Sequence, residues 1–278
     1  MDDKKVALIT GCSSGIGLST SVALARSGYT TYATMRDLSK SKLLQSILEK
    51  EKLPISIIQL DVTEDKSVAR AIKDIIGKSG RIDILVNNAG FGITGAFEDL
   101  TVDEIKQQFE TNFFGLIRVT QGVLPYMRSQ HSGVIVNISS GLGRFGVATN
   151  SAYASSKFAV EGLTESMSYE LKQFGIRTVL IEPGIIRTKF IQSSKLARKS
   201  KDITSPYRNY MENMEKGMKK LIECGQAPEY VADIILSAIQ DNNPKLRYLA
   251  GQDVEQILEA KEKLSDEDFH NMLKKMSS

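Results

Sequence analysis

The sequence predicts an α/β fold with helices on both faces of a mainly parallel sheet. Short runs rich in β-branched and aliphatic residues alternate with helical stretches along most of the chain. Those runs are apolar at consecutive positions, and the first opens into a Gly-rich turn. A strand without in–out alternation is buried on both sides, as parallel strands joined by crossover helices are. Such crossovers are right-handed, so the arrangement is a doubly wound Rossmann domain. The 278 residues are read as one such domain, 1–278, with residues 185–226 inserted as a lid over the strand ends.

Residues 6–9 form the first strand, and a helix over 16–27 follows the Gly/Ser turn. Strands over 29–34 and 55–60 flank a helix near 39–51, and a helix near 64–77 leads to a strand over 82–86. A long helix runs from Thr101 to Met127. The segment from Thr101 to Glu104 makes a capping box, and Ile105, Phe109, Phe113, Leu116, Val119 and Val123 recur at helical spacing. A strand over 134–139, a long helix over 152–174 and a strand over 177–181 come next. Pro228 opens a helix to about residue 240, and 246–249 is a late strand; the remainder, with His270, reads as a polar tail.

Composition narrows the function. With 41% hydrophobic and 25% charged residues, the chain is neither disordered nor collagenous. A net charge of +3 is too small a bias for nucleic-acid binding. Two His and two Cys, scattered without paired spacing, supply no metal framework. The same two thiols suit a reducing compartment, and no apolar run reaches membrane length, so a cytoplasmic protein without stable membrane insertion is expected.

The turn from Thr10 to Gly17 follows a strand and opens a helix, the order a pyrophosphate site needs. Gly11 permits the tight turn, while Gly15 and Gly17 let backbone and helix approach closely. Ser13, Ser14 and Ile16 lie where the first helical N–H groups face an anion. Gly11-Cys12-Ser13-Ser14-Gly15 also fits a hydrolase nucleophile elbow, but neither His131 nor His270 is placed to activate a serine. Gly90-Phe91-Gly92-Ile93-Thr94-Gly95 matches another nucleotide pattern but opens no helix, and is read as a loop. Cys12, near a helix N-terminus, suits a tight turn better than a redox switch.

The second strand ends without the acid that bonds an NAD ribose. Thr34 stands where that acid would be, and Arg36 follows. A guanidinium can fork onto a 2′-phosphate, and Ser14 can add a hydroxyl, so the expected cofactor is NADP(H). The competing reading is a solvated Arg36 neutralised by Asp37.

Tyr153 and Lys157 stand four apart on one helical face. An ammonium beside a phenol favours phenolate; bringing a Tyr from ~10 towards neutrality takes roughly 4 kcal/mol. Ser140 closes the preceding strand, thirteen residues before Tyr153, at the end of the sheet where ligands bind. Its hydroxyl can polarise a carbonyl oxygen that the phenol protonates.

These segments together resemble the short-chain dehydrogenase/reductase family. They are joined by Asp61-Val62, Asn87-Asn88-Ala89-Gly90, Asn112, and Pro183-Gly184 with Thr188. The Cys-Ser-Ser loop and the run from Tyr32 to Asp37 are most similar to its hydroxysteroid and retinol dehydrogenase branch. The resemblance implies that Tyr153 is the acid/base, Lys157 lowers its pKa and bonds the nicotinamide ribose, Ser140 orients the substrate oxygen, and Asn112 anchors a relay water. It implies that Asp61 and Val62 flank the adenine, that Asn88, Ala89 and Gly90 line its ribose, and that Pro183, Gly184, Ile186 and Thr188 hold the carboxamide end. It also implies a homodimer or homotetramer built on the two long helices.

The lid carries Tyr207, Tyr210, Met211, Met214, Met218 and Leu221 at helical spacing, a core stripe or an adaptable apolar pocket wall. Such a wall suits a small-molecule carbonyl or alcohol of steroid or retinoid character. Between Arg187 and Lys220, however, ten basic residues (Arg187, Lys189, Lys195, Arg198, Lys199, Lys201, Arg208, Lys216, Lys219, Lys220) face three acidic ones, net +7 against −4 elsewhere. That balance suits an anionic handle, so a 3-oxoacyl thioester reductase is the alternative. A non-catalytic nucleotide-sensing protein is a third reading, against which intact Ser140, Tyr153 and Lys157 speak.

Overall fold

The computed structural model describes residues 4–188, 190 and 194–276. The sequence alternation becomes β1 (Val6–Ile9), α1 (Gly15–Arg26), β2 (Thr30–Met35), α2 (Lys42–Glu51), β3 (Ile55–Gln59), α3 (Asp65–Ser79) and β4 (Ile84–Asn87). After a short β5 (Ile93–Thr94) come α4 (Val102–Phe109), α5 (Gly115–Gln130), β6 (Gly133–Ile138), α6 (Ser151–Leu171) and β7 (Ile176–Pro183). The chain continues through β8 (Lys195–Leu196), α7 (Arg208–Glu223), α8 (Pro228–Gln240), β9 (Arg247–Ala250), α9 (Gln252–Lys263) and α10 (Asp266–Met276).

Seven strands pair in the order β3-β2-β1-β4-β6-β7-β9, and each adjacent pair is parallel. Strand order reverses at β1, whose neighbours are β2 and β4, so a crevice opens beyond their carboxyl ends. Alternate residues of each strand serve opposite faces. Ala7 and Ile9 meet Leu18, Val22 and Ile235 from α1 and α8. Val6 and Leu8 meet Val68, Ile72, Val119 and Val123 from α3 and α5. Double burial is what made these strands uniformly apolar.

Two regions differ from the sequence reading. The long helix from Thr101 is two helices, α4 and α5, separated by a π turn at Glu110–Phe114. The apolar spacing runs through both, so periodicity alone could not mark the widened turn. The capping box itself forms: Thr101 Oγ1 accepts from Glu104 N, and Glu104 reaches back to Thr101 N. The expected polar tail instead folds as α9 and α10. Their few apolar residues, Val254, Leu258 and Phe269, pack on Phe145, and a sparse stripe among charges hid them.

Within 185–226, β8 pairs with β5, and α7 buries Met211 while Tyr207 and Met214 are half-buried and Tyr210 is exposed. Of the predicted basic run and apolar stripe, Lys189 and the side chains of Lys201, Met218, Lys219, Lys220 and Leu221 lie outside the described residues. Among the described residues, no helix is long and apolar enough to cross a membrane.

Candidate active site

The first βα turn is built by its contacts with the end of β4. Thr10 Oγ1 accepts from the backbone N–H groups of Asn88 and Ala89, both at 3.0 Å. Asn88 Nδ2 donates to the carbonyls of Thr10 and Gly11 at 2.8 and 3.1 Å. Two glycines are forced here. Gly11 has φ +74°, and a Cβ on Gly17 would lie 2.3 Å from Asn88 Nδ2. Asn88 is therefore a clamp on the turn through its amide, and Gly17 is a packing residue that does not line the cleft.

Around this turn lies a cleft of about 1640 Å³. Gly11, Ser13, Ser14, Gly15 and Ile16 line one side, with Ala89 and Gly90 beside them. Ser14 N-caps α1 without a side-chain hydrogen bond, and the first turn holds no acid, so the helix supplies no anion of its own to its N-terminus. Those features fit a dinucleotide pyrophosphate. Thr188 closes over the turn, its Cγ2 standing 3.2 Å from where a Cβ on Gly15 would be.

At the end of β2, Thr34 is buried and donates to the Ile9 carbonyl, so its side chain does not face the crevice. Arg36 does line it, exposed, and Lys40 stands on the same wall. Asp37 turns its carboxylate onto Ser39 N and Oγ, at 3.0 and 2.7 Å, bonds that hold it below the usual carboxylate range. Arg36 thus keeps its reach towards the cleft. Lys40 escaped the sequence reading because it follows in a 3-10 turn rather than on the strand end. Asp61 lines the cleft while its Oδ1 accepts from Thr63 N and Oγ1, and Val62 packs under Gly115.

The candidate catalytic groups converge at the carboxyl end of β6. Ser140 accepts from Leu142 N at 3.1 Å and stands beside the Tyr153 hydroxyl, whose pKa it lowers. Tyr153 stacks edge-on against Phe190, with ring centroids 5.7 Å apart. Lys157 donates to the Ile138 carbonyl at 2.8 Å and lies 5.7 Å from the Tyr153 ring centroid. In the protein alone, burial dominates at the phenol. Burial pushes Tyr153 up to about 12, and Ser140 only partly opposes it. Burial likewise pulls Lys157 down to about 8, against the attraction of Glu161.

Asn112 is buried in the π turn and does not line the cleft. Its amide is committed: Oδ1 accepts from Phe91 N, and Nδ2 donates to Phe91 O and Ser156 Oγ. Any water at this residue would have to meet its main chain. Cys12 is buried, donates to the Ile9 carbonyl, and is pushed up to about 12 by burial, so the reactive thiolate has no support.

Pro183, Gly184, Ile186 and Thr188 line the cleft after β7. Sequence reasoning missed their anchor, Asp253 at the start of α9. Its Oδ2 accepts from Ile185 N at 2.7 Å, and its Oδ1 lies 2.1 Å from where a Cβ on Gly184 would stand. Only a glycine admits that carboxylate. The far wall is apolar, with Leu142, Phe145, Met211, Met214, Val254 and Leu273.

A family model of short chain dehydrogenases matches residues 5–199. The chain is 39% identical to retinol dehydrogenase 8 of Bos taurus over 88% of its own length and 81% of that protein's. It is 37% identical to 17-beta-hydroxysteroid dehydrogenase type 1 of Homo sapiens, covering 88% and 77%. A solved short-chain dehydrogenase from Streptomyces avermitilis superimposes with a TM-score of 0.82 at 32% identity, covering 94% and 93%. Two further structures of this fold hold different dinucleotides. ElxO carries NADP (TM-score 0.75, 27% identity, covering 91% and 99%). A Burkholderia phymatum protein carries NAD (TM-score 0.81, 22% identity, covering 94% and 95%).

Replacing Asn88 by Ala removes both bonds from the turn. Stability should fall by roughly 1–3 kcal/mol in urea unfolding, and dinucleotide affinity by tenfold or more in a fluorescence titration. Unchanged affinity would show that the turn holds its shape without the clamp.

Proposed function

The chain belongs to the short-chain dehydrogenase/reductase family, and from that premise we propose that it is an NADP(H)-dependent reductase of lipophilic ketones or aldehydes. The observation that carries this reading is the meeting of Ser140, Tyr153 and Lys157 at the end of β6, opposite the Gly-rich turn. When bound, the nicotinamide supplies or accepts the hydride. Ser140 and Tyr153 stand side by side on the cleft, so a substrate oxygen between them would be both positioned and protonated. A phenol held high by burial is protonated at neutral pH, the form that donates to an alkoxide. The opposite direction, alcohol oxidation, needs the phenolate, and its rate rises with pH. Lys157 is the cation nearest that phenolate.

Arg36 and Lys40 on the β2 wall, with the Asp37 carboxylate bonded to Ser39, support the phosphorylated dinucleotide. The apolar far wall supports a lipophilic substrate, and so do relatives named for retinol and a hydroxysteroid. The segment 185–226 serves as the lid, with Met211 and Met214 of α7 on the substrate side. The thioester alternative draws less support: Lys195 at the cleft mouth is held by Gln107 at 2.9 Å and by the Phe91 ring. Exposed Phe114, Phe158 and Tyr169 on the π turn and α6 support a homodimer or homotetramer through that face.

Tyr153→Phe should bind NADPH within about twofold of wild type yet lose at least a thousandfold in carbonyl reduction; near-normal turnover would remove Tyr153 as the acid. Arg36→Ala and Lys40→Ala should each lower the NADP-to-NAD ratio of kcat/KM by about tenfold, one charge-assisted contact. Equal ratios in wild type and variants would defeat the phosphate assignment. Phe158→Glu should yield monomers in sedimentation; an unchanged assembly places the interface elsewhere.

A further inference from the structure

Behind the active site lies a second cluster of charges that the mechanism so far does not use. One turn beyond Lys157 on α6, Glu161 is 5% exposed, and Lys157 itself is 7% exposed. Glu161 Oε2 accepts from Arg247 Nε of β9 at 2.9 Å, while Oε1 is buried with no hydrogen-bond partner among the described residues. The same guanidinium approaches Glu182 of β7 at 3.4 Å and holds Glu165 at 2.6 Å. Glu182 is fully buried and takes Arg144 at 3.1 Å from the turn after β6. That turn carries Ser140, and its Gly143 packs so tightly that a Cβ there would stand 3.0 Å from Glu161 Cγ.

The cluster is arranged asymmetrically. Arg144 and Arg247 both bond Glu182 or Glu161, whereas among the described residues Lys157 donates to a neutral carbonyl alone. A buried ammonium with a neutral acceptor needs a charge of opposite sign nearby. The remaining ionisable groups packed against α6 are engaged elsewhere or face water. Glu104 bonds Thr101 and Arg198 N, Glu110 bonds Arg118, and Asp103, Lys106 and Lys172 are exposed.

We propose that Glu161, anchored by Arg247, is a positioning residue whose carboxylate is the counter-charge of the Lys157 ammonium. Glu182 and Arg144 complete the scaffold and tie it to the Ser140 turn. The inference rests on the Tyr153–Lys157 reading for its functional meaning, though not for its geometry. Its direction agrees with the ionisation of the groups. Glu161 acts against burial at Lys157, and burial together with repulsion from Glu161 pushes Glu182 up to about 7. Lys157 has its pKa lowered by burial, so it is charged below about 8 and loses its proton above. Without Glu161 that midpoint moves towards lower pH.

The test reads the protein alone, without turnover. The ε-carbon resonance of Lys157, assigned by its loss in Lys157→Met, is titrated in labelled protein. In Glu161→Gln the midpoint should fall by about one unit or more, a tenfold loss of proton affinity, while Glu161→Asp should recover most of the shift. A Gln variant titrating like wild type, or an Asp variant shifted as far as the Gln one, overturns the proposal. Should Glu161→Gln be destabilised, the same substitution should cost less stability in a Lys157→Met background than in wild type, because the lost Arg247 contact enters both arms alike. An equal cost in both backgrounds overturns it too. Because no substrate or dinucleotide is present, either failure is distinguishable from a failure of the reductase reading, which the Tyr153→Phe assay judges.

Discussion

Lys157 is an ammonium held where water scarcely reaches, and the carboxyl end of the sheet and α6 are arranged around it. Its ammonium rests on the last carbonyl of β6, so the carboxyl end of a central strand fixes where the charge stands. The Tyr153 phenol sits one helical turn away, beside Ser140, which caps the turn after β6. Nothing in this set is adjustable separately. Moving α6 along its axis would shift Tyr153, Lys157 and Glu161 together against β6 and β7.

A layer of buried polar groups opposes such a shift. Asn87 and Asn137 face one another in register on β4 and β6, joined by a 2.8 Å hydrogen bond. Asn87 also donates to Thr120 of α5, and Asn137 to Thr164 of α6. Apolar packing tolerates sliding better than a chain of amides and hydroxyls in a low-dielectric interior, each of which loses a partner on displacement. The hydrophobic faces hold the layers together; this chain of amides sets how the helices bearing the catalytic groups are placed along the strands.

How much of this was legible in the sequence follows from how local each signal is. Parallel strands were visible because double burial leaves an unbroken apolar run, and the phosphate turn because its glycines lie within seven residues. Tyr153 and Lys157 were visible as one helical repeat. The contacts of Asp253, Arg247 and Glu182 were not, because they join positions far apart in sequence, and a carboxylate on a late helix looks like any surface acid until the chain is closed. Asn112 was identified as a site residue, yet its amide turned out to serve the backbone of Phe91, a distinction that needs coordinates. The paired helices at the C-terminus were missed for a different reason: their apolar residues are few, and most of their stabilisation comes from docking on Phe145.

Asp253 gives the two halves of the cleft a common hinge pin. One carboxylate starts the helix that walls the apolar side and grips the main chain that lines the dinucleotide side. Neither compartment can relax without tugging on the other, and thermodynamic reciprocity makes the influence equal in both directions. A first ligand that tightens the Gly184 segment leaves the apolar wall already ordered for the second. A single carboxylate on a late helix thus couples the two compartments, so that order gained in one is order already gained in the other.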